Sequence, residues 1–398
     1  MNAPAPASTV SAAAERGFRL PEPEFVPEEL RMLRAQVRRF VEAEIVPHGE
    51  AWEEAGEIPR ELFRKLGALG LLGMQHEEAY GGSALGSMAA VVLSEELGRS
   101  TFGGVTAAVS VHTDMSACHL TRVGTEVQKA EWLPRACAGE AVCAIAVTEP
   151  DAGSDVAGLR TRARRDGDGW VIDGAKMFIT NGALGDLLIV AARTGEAGSR
   201  GLSLFLVPRT TPGVEVTRRL DKHGWRCSDT AALSFDGVRV PEGALLGGEN
   251  RGFYAIMQGF EHERLVLAAA AVGEAQKAIE LTLDHVRARR AFGKTLWDQQ
   301  ATRQRLAELA SRTAMARAFV YQTALAKDAG RPVSLETSMI KATAPEVLHD
   351  VVHGCLQLHG GTGYMTGTPI ERMARDARIH RIGGGATEVM LEEVAKRI

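Results

Sequence analysis

The chain has 398 residues, 45% of them hydrophobic, and a formal net charge of −4 at pH 7. That length exceeds what one hydrophobic core organises and points to two or three domains. The near-neutral charge, without a basic stripe, excludes a nucleic-acid footprint, and scattered Cys118, Cys137, Cys143, Cys227 and Cys355 exclude a disulfide framework and place the chain in a reducing interior.

The opening MNAPAPASTVSAAAER lacks the basic start and apolar core of a secretory signal. Residues 1–24 are therefore expected to form a flexible leader, and the cytoplasm is the expected location. No apolar run reaches the roughly 18 residues that a bilayer crossing needs, so stable membrane insertion is not expected. Pro27-Glu28-Glu29 starts the first helical stretch, over 27–54, where Leu30, Leu33, Val37, Phe40 and Val41 recur every three or four positions. A second runs from Ile58 to Leu72, Gly81-Gly82 marks a bend, and helical patterns resume at Met88–Leu97, Ala107–Leu120 and Thr125–Ala138. Residues 25–142 thus read as a helical domain, and the many Ala and Gly residues predict closely approaching helices.

From Ala144 the period changes. Val171-Ile172, Met177–Thr180, Leu187–Ala191, Gly201–Val207, Val214–Val216 and Ala231–Phe235 are short apolar or alternating runs separated by Gly, Pro, Asn and Asp. They predict an antiparallel sandwich or barrel over 143–250. Helices return over 253–286, 299–327, 333–358 and 387–396, giving a helical domain over 251–398. No G-x-G-x-x-G follows a strand, so a Rossmann nucleotide site has no support.

Several places concentrate chemistry. Thr148, Glu149, Asp151, Ser154 and Asp155 fall within eight positions, with Pro150 and Gly153 controlling the backbone. Such a turn either offers amides and hydroxyls to an anion or polar ring edge, or caps itself. Glu261, Glu263 and Arg264 interrupt an apolar helix. Glu263 lies on its inward side, where it is either a carboxylate with a raised pKa, fit for general-base work, or half of a structural ion pair. Arg287, Arg289, Arg290 and Lys294 bracket Phe292-Gly293 at that helix's end, either clamping a diphosphate or simply favouring the helix terminus. Glycine-rich turns at Gly360-Gly361 and Gly383-Gly384-Gly385 could present amides to phosphate oxygens. His359, His380 and Arg375 read equally as packing or solvent-facing, and no histidine spacing makes a metal site.

Several ordered motifs together resemble the acyl-CoA dehydrogenase family. They are Val147-Thr148-Glu149-Pro150-Asp151-Ala152-Gly153-Ser154-Asp155, Lys176-Met177-Phe178-Ile179-Thr180-Asn181-Gly182, Arg289-Arg290-Ala291-Phe292-Gly293 followed by Gln300, and a glycine-rich run beginning at Gln357. The resemblance covers residue 25 to the end. It implies an α+β fold with an N-terminal helical domain, a middle antiparallel β domain and a C-terminal four-helix bundle, forming a homotetramer. It also implies non-covalent FAD, with Phe178 against the flavin, Thr148 and Thr180 hydrogen-bonding it, and Ser154 near the flavin and the pantetheine route. Arg289, Phe292, Gln300, Gln357 and Gly361 would hold the dinucleotide of a neighbouring subunit.

Many family members carry their catalytic glutamate at the position of Gly384, which cannot abstract a proton. The isovaleryl-CoA and long-chain branches place it in a Glu-Arg-Leu context on the preceding helix, which Glu263-Arg264-Leu265 matches. Glu263 is then the expected base, supported by Arg264, with the Gly384 amide polarising the thioester oxygen. Ala386 replaces a small hydroxyl residue and forbids a side-chain flavin contact there. Ser110, Ser154, Glu261 and Arg264 are the expected substrate contacts, and small Ala107, Ala108 and Ser110 leave room for a medium-to-long or branched acyl chain. The resemblance implies oxidation of an acyl-CoA to its trans-2-enoyl-CoA, with reoxidation by an electron-transfer flavoprotein. An acyl-CoA oxidase, a flavin monooxygenase and a non-catalytic acyl-CoA-binding protein are the alternatives.

Overall fold

The computed structural model describes residues 18–398; the first 17 positions of the expected leader lie outside the described residues. Residues 18–24 carry neither helix nor strand, yet Glu22 pairs with Arg34 and Arg317, each at 3.2 Å. This part of the expected flexible leader is therefore anchored by charge.

The N-terminal layer is helical: α1 (Glu28–Phe40), α2 (Gly49–Ala55), α3 (Arg60–Ala68), α4 (Gly86–Gly98), α5 (Gly103–Ser110), α6 (Cys118–Val123) and α7 (Glu126–Cys137). On α1 the predicted spacing becomes the inner face, burying Leu30, Arg34, Val37 and Phe40. Two stretches expected as single helices, over 27–54 and Ala107–Leu120, are instead interrupted by π-helical segments, Val41–Ile45 and Val111–Ala117. Apolar spacing does not distinguish these from α-helix, and π segments recur beside functional sites.

The middle layer holds β1 (Cys143–Ala146), β2 (Arg162–Asp166), β3 (Gly169–Thr180), β4 (Leu187–Arg193), β5 (Leu202–Pro208), β6 (Val214–Arg219), β7 (Thr230–Pro241) and β8 (Leu245–Leu246). Seven run in the order β6-β7-β3-β2-β4-β5-β8, and β1 pairs with β4. The sheet is mixed rather than wholly antiparallel, because β1 lies parallel to β4 and β2 meets β4 in parallel at Arg162 and Arg193. β1 and β4 are nearly continuous buried apolar runs, the composition of strands covered on both faces, and such runs do not reveal their direction. The expected separate runs at Val171-Ile172 and Met177–Thr180 fuse into β3, whose pairing with β7 is irregular between Ile172 and Gly174 and again between Lys176 and Ile179.

The C-terminal layer comprises α8 (Gly252–Ala288), α9 (Gln300–Asp328), α10 (Ser334–His359), α11 (Gly361–Tyr364), α12 (Pro369–Asp376) and α13 (Thr387–Ala395). A two-stranded ladder, β9 (Arg290–Ala291) with β10 (Lys294–Thr295), joins α8 to α9. The expected close approach occurs where α4 crosses α8. A Cβ added at Gly98 would lie 2.5 Å from the Ala270 carbonyl oxygen, and one at Gly273 would overlap the Glu95 carbonyl. Around that crossing, buried Glu95 bonds Arg34 at 3.0 Å and Arg317 at 2.7 Å. Burial alone would raise its pKa, but the two guanidinia hold it down to about 2. One core and one charged network therefore bind the outer helical layers together, with the β layer beside them.

Candidate active site

Glu263 emerges from α8 among the residues that the apolar pattern buries. Leu265, Val266 and Leu267 are buried, whereas Glu263 is half-buried. Burial pushes its carboxyl up to about 7, against the lowering pull of Lys341 and Arg264, neither of which hydrogen-bonds it. The ion-pair alternative for Glu263 and Arg264 therefore does not form. Arg264 instead lies over the Phe260 ring at 5.6 Å and reaches Ser338 Oγ at 3.5 Å, with its Nε buried and unpartnered. Glu261 acts on Lys327 and Arg264 rather than on Glu263, as residues two apart on a helix must.

The loop before α13 brings Gly384 to the same place. Gly384 has φ +66°, and a Cβ built on it would stand 3.0 Å from Glu263 Oε1 while overlapping Leu267 Cδ1. Among the described residues no backbone carbonyl accepts the Gly384 N–H. A carboxyl raised toward neutrality and a backbone whose amide has no carbonyl partner thus adjoin one another, a combination suited to taking a proton from carbon and steadying an oxyanion.

In the middle layer, the polar turn and β3 are stitched together by a buried ion pair. Lys176 Nζ bonds Glu149 Oε1 at 2.8 Å and the Val147 carbonyl at 2.9 Å. Glu149 also accepts from the amides of Arg160 at 2.7 Å and Thr161 at 2.9 Å. Burial drives Lys176 down to about 8, with Glu149 pulling the other way. The Thr148 carbonyl accepts from the Met177 amide at 2.9 Å, which sets half-buried Thr148 beside the irregular end of β3. There the bulge turns Phe178 outward: it has φ +61° and is 67% exposed. Bulges re-aim side chains in this way beside active sites. Thr180 follows, half-buried and paired with Thr230, and Asn181 locks the strand end by donating to the Ala108 carbonyl at 2.9 Å. Ser154 is exposed on the preceding loop, and Ser110 is buried at the end of α5.

The remaining candidates form a second, surface group. The β9–β10 hairpin carries Phe292 at its tip, 96% exposed with φ +52°, while Arg289, Gln300, Gln357 and Gly361 are also exposed. Stacked His285 and His359 rings, 4.2 Å apart, bring the ends of α8 and α10 together and with them the Arg289 and Gln357 segments. Outward aromatics in left-handed backbone, flanked by threonines in one group and guanidinium in the other, fit a planar ring and a diphosphate-bearing dinucleotide. Among the described residues no cluster of three or more His, Cys, Asp or Glu could hold a metal ion.

Sequence reasoning missed Lys341, which is fully buried and bonds the carbonyls of His380 at 2.7 Å and Gly385 at 2.9 Å. It also missed the pairing of Lys176 with Glu149, and buried His262, whose Nε2 lies 2.9 Å from Asp114 Oδ1. Lys341 and Lys176 each adjoin apolar residues, the available signal, whereas His262 lies among charged neighbours, and in every case the partner is distant in sequence. His380, open between packing and exposure, is buried against Glu274 at 2.9 Å.

A helical–β–helical chain with exposed aromatics on irregular backbone and a half-buried carboxyl raised toward neutrality has the layout of a flavin-dependent oxidoreductase. The chain matches the acyl-CoA dehydrogenase N-terminal domain over residues 27–140, the middle domain over 144–238 and the C-terminal domain over 250–398. It is 41% identical to the long-chain specific acyl-CoA dehydrogenase of Sus scrofa over 92% of this chain and 86% of that one. It is 35% identical to isovaleryl-CoA dehydrogenase of Pongo abelii, covering 91% and 86% respectively. A probable acyl-CoA dehydrogenase structure from Mycobacterium abscessus superposes with TM-score 0.91 at 43% identity, covering 94% of this chain and 99% of that one. The chain belongs to the acyl-CoA dehydrogenase family and is an FAD-dependent enzyme. No helix among the described residues is long and apolar enough to cross a membrane.

Proposed function

We propose that this enzyme oxidises a medium-to-long or branched acyl-CoA to its trans-2-enoyl-CoA, with Glu263 as the base. The carrying observation is the Glu263 carboxyl, raised to about 7 by burial, standing against the backbone of Gly384. Glu263 takes the proton from the substrate α-carbon, and the Gly384 N–H stabilises the charge that spreads onto the thioester oxygen. One oriented donor of this kind is worth roughly 3 to 4 kcal/mol. Arg264 supports the carboxylate form of Glu263 through its charge. FAD, when bound, supplies the two-electron acceptor for the hydrogen leaving the β-carbon.

Phe178, Thr148 and Thr180 hold the ring system, and Ser154 borders the flavin and the pantetheine route. Arg289, Phe292, Gln300, Gln357 and Gly361 complete the dinucleotide site of a neighbouring subunit, for which their outward placement is suited. Gly361 and Gly384 act through backbone alone. Ser110, Glu261 and Arg264 contribute to the substrate side. Small, buried Ala107 and Ala108 leave volume for the acyl chain. A homotetramer in the cytoplasm, reoxidised by an electron-transfer flavoprotein, is the corresponding setting.

Anaerobic mixing with acyl-CoAs of graded length and branching, followed by flavin absorbance, tests the reading. Bleaching with enoyl-CoA formation is the expected result, fastest for medium-to-long or branched chains. Tight acyl-CoA binding without bleaching would favour a binding protein, and rapid oxygen consumption during turnover would favour an oxidase.

A further inference from the structure

Lys341 stands on α10 with no exposed surface, a cation that burial disfavours unless it is compensated. Its described hydrogen bonds both go to one short loop, to the carbonyls of His380 at 2.7 Å and Gly385 at 2.9 Å. These two acceptors bracket Gly384. The same loop is held from α8 through His380, whose Nε2 lies 2.9 Å from Glu274 Oε1 and whose ring packs edge-on against Trp225 at 5.3 Å. The Gly383 amide closes the turn onto the Ile379 carbonyl at 2.8 Å. A Cβ at Gly384 would lie 3.5 Å from Lys341 Cε and 3.0 Å from Glu263 Oε1, so ammonium stem, loop backbone and carboxyl adjoin one another.

Resting on the reaction assigned above, we propose that Lys341 is a positioning residue, tying the loop so that the Gly384 amide and the Glu263 carboxyl keep one relative placement. Packing alone does not require a cation here, since a methionine would fill much of the same space. An ammonium adds directed bonds to two carbonyls, that of His380 buried, which no backbone amide among the described residues otherwise pairs. It adds a second effect through charge. The groups acting on Glu263 are Lys341 from α10 and Arg264 from its own helix. Glu263 in turn acts on Cys118 of α6, a thiol that burial pushes up to about 12 and leaves uncharged. Loop residue Arg381 is turned away to Glu346 at 2.7 Å, and His380 faces Glu274. Lys341 is therefore the principal favourable charge for ionised Glu263, and its removal should make that proton harder to lose.

The test uses the flavin-loaded enzyme with Lys341→Met and Lys341→Gln, the latter keeping one N–H donor for a loop carbonyl while discarding the charge. Two quantities are followed against pH. One is the infrared carboxyl stretch of Glu263 without substrate, identified by its loss in Glu263→Gln; the other is the single-turnover rate of flavin bleaching. In Lys341→Met the carboxyl midpoint should move alkaline by about one unit, and the plateau rate should fall about 10- to 100-fold as the amide loses alignment. Lys341→Gln should show a similar midpoint shift with a smaller loss of rate. An unmoved midpoint in either folded variant, with native flavin content and an unchanged plateau, would overturn the proposal. A wild type that no acyl-CoA bleaches would instead overturn the assigned reaction, and the infrared midpoints would still decide whether Lys341 acts on Glu263.

Discussion

Gly384 and Glu263 contend for the same space: a side chain begun at 384 would reach within 3.0 Å of Glu263 Oε1 and run into Leu267. A helix carboxylate and a loop carboxylate are thus mutually exclusive solutions here. Gly384→Ala should be destabilised by about 1–2 kcal/mol, through its left-handed backbone and the overlap with Leu267. The urea unfolding midpoint and the bleaching rate should both fall. A variant as stable and as fast as the parent would show that the gap is wider than described.

Glu263 stabilises the fold least in the pH range where it would act as the proposed base. The unfolded chain releases this proton near 4.5, whereas the folded protein keeps it to about 7. The associated stability is fully present below about pH 4.5 and lost as pH rises through 7. Glu263→Gln should therefore be more stable than the parent by roughly 1–3 kcal/mol at pH 8, with the advantage vanishing near pH 4. Denaturant titrations of the two proteins at both pH values measure it; equal stability at pH 8 would mean that the carboxyl is better solvated than its surroundings indicate.

The Lys176–Glu149 pair holds the polar turn against β3, so its loss should reach the proposed flavin site. Lys176→Met leaves the Glu149 charge buried and should cost about 3–5 kcal/mol. Flavin should be lost on gel filtration at temperatures where the parent keeps it. Retained flavin and an unchanged melting temperature would place the stitching elsewhere.

Phe292 contributes nothing to its own chain's core. Phe292→Ala should leave the circular dichroism of the helices intact while lowering the flavin-to-protein ratio at least several-fold. Dilution that dissociates the proposed assembly should abolish the difference between parent and variant. A full complement of flavin in the variant would remove Phe292 from the dinucleotide site.

Much of the fold is legible in sequence because its signals are local. The spacing of Leu30, Val37 and Phe40 gives the inner face of α1, and the change of period near Ala144 gives the β layer. Strand direction was not legible, since Cys143–Ala146 is apolar on both faces and pairs in parallel with a strand some forty positions later. The π segment at Val111–Ala117 was hidden for a related reason: its apolar spacing is that of a helix. Glu263 could be picked out as an acid within an apolar run, and choosing it over the loop required the family motif with glycine at 384. Lys341 escaped notice because its partners are backbone oxygens of His380 and Gly385, and no residue type advertises a carbonyl.

The most direct measurement is the anaerobic rate of flavin bleaching by a reactive acyl-CoA, taken across pH for the parent and for Glu263→Gln. The parent rate should rise with pH through a midpoint near 7, the value to which burial raises the carboxyl. Glu263→Gln, with flavin retained, should be slower by about 10²- to 10⁴-fold, and the midpoint should disappear. A variant that bleaches at the parental rate with the same pH dependence would contradict Glu263 as the base.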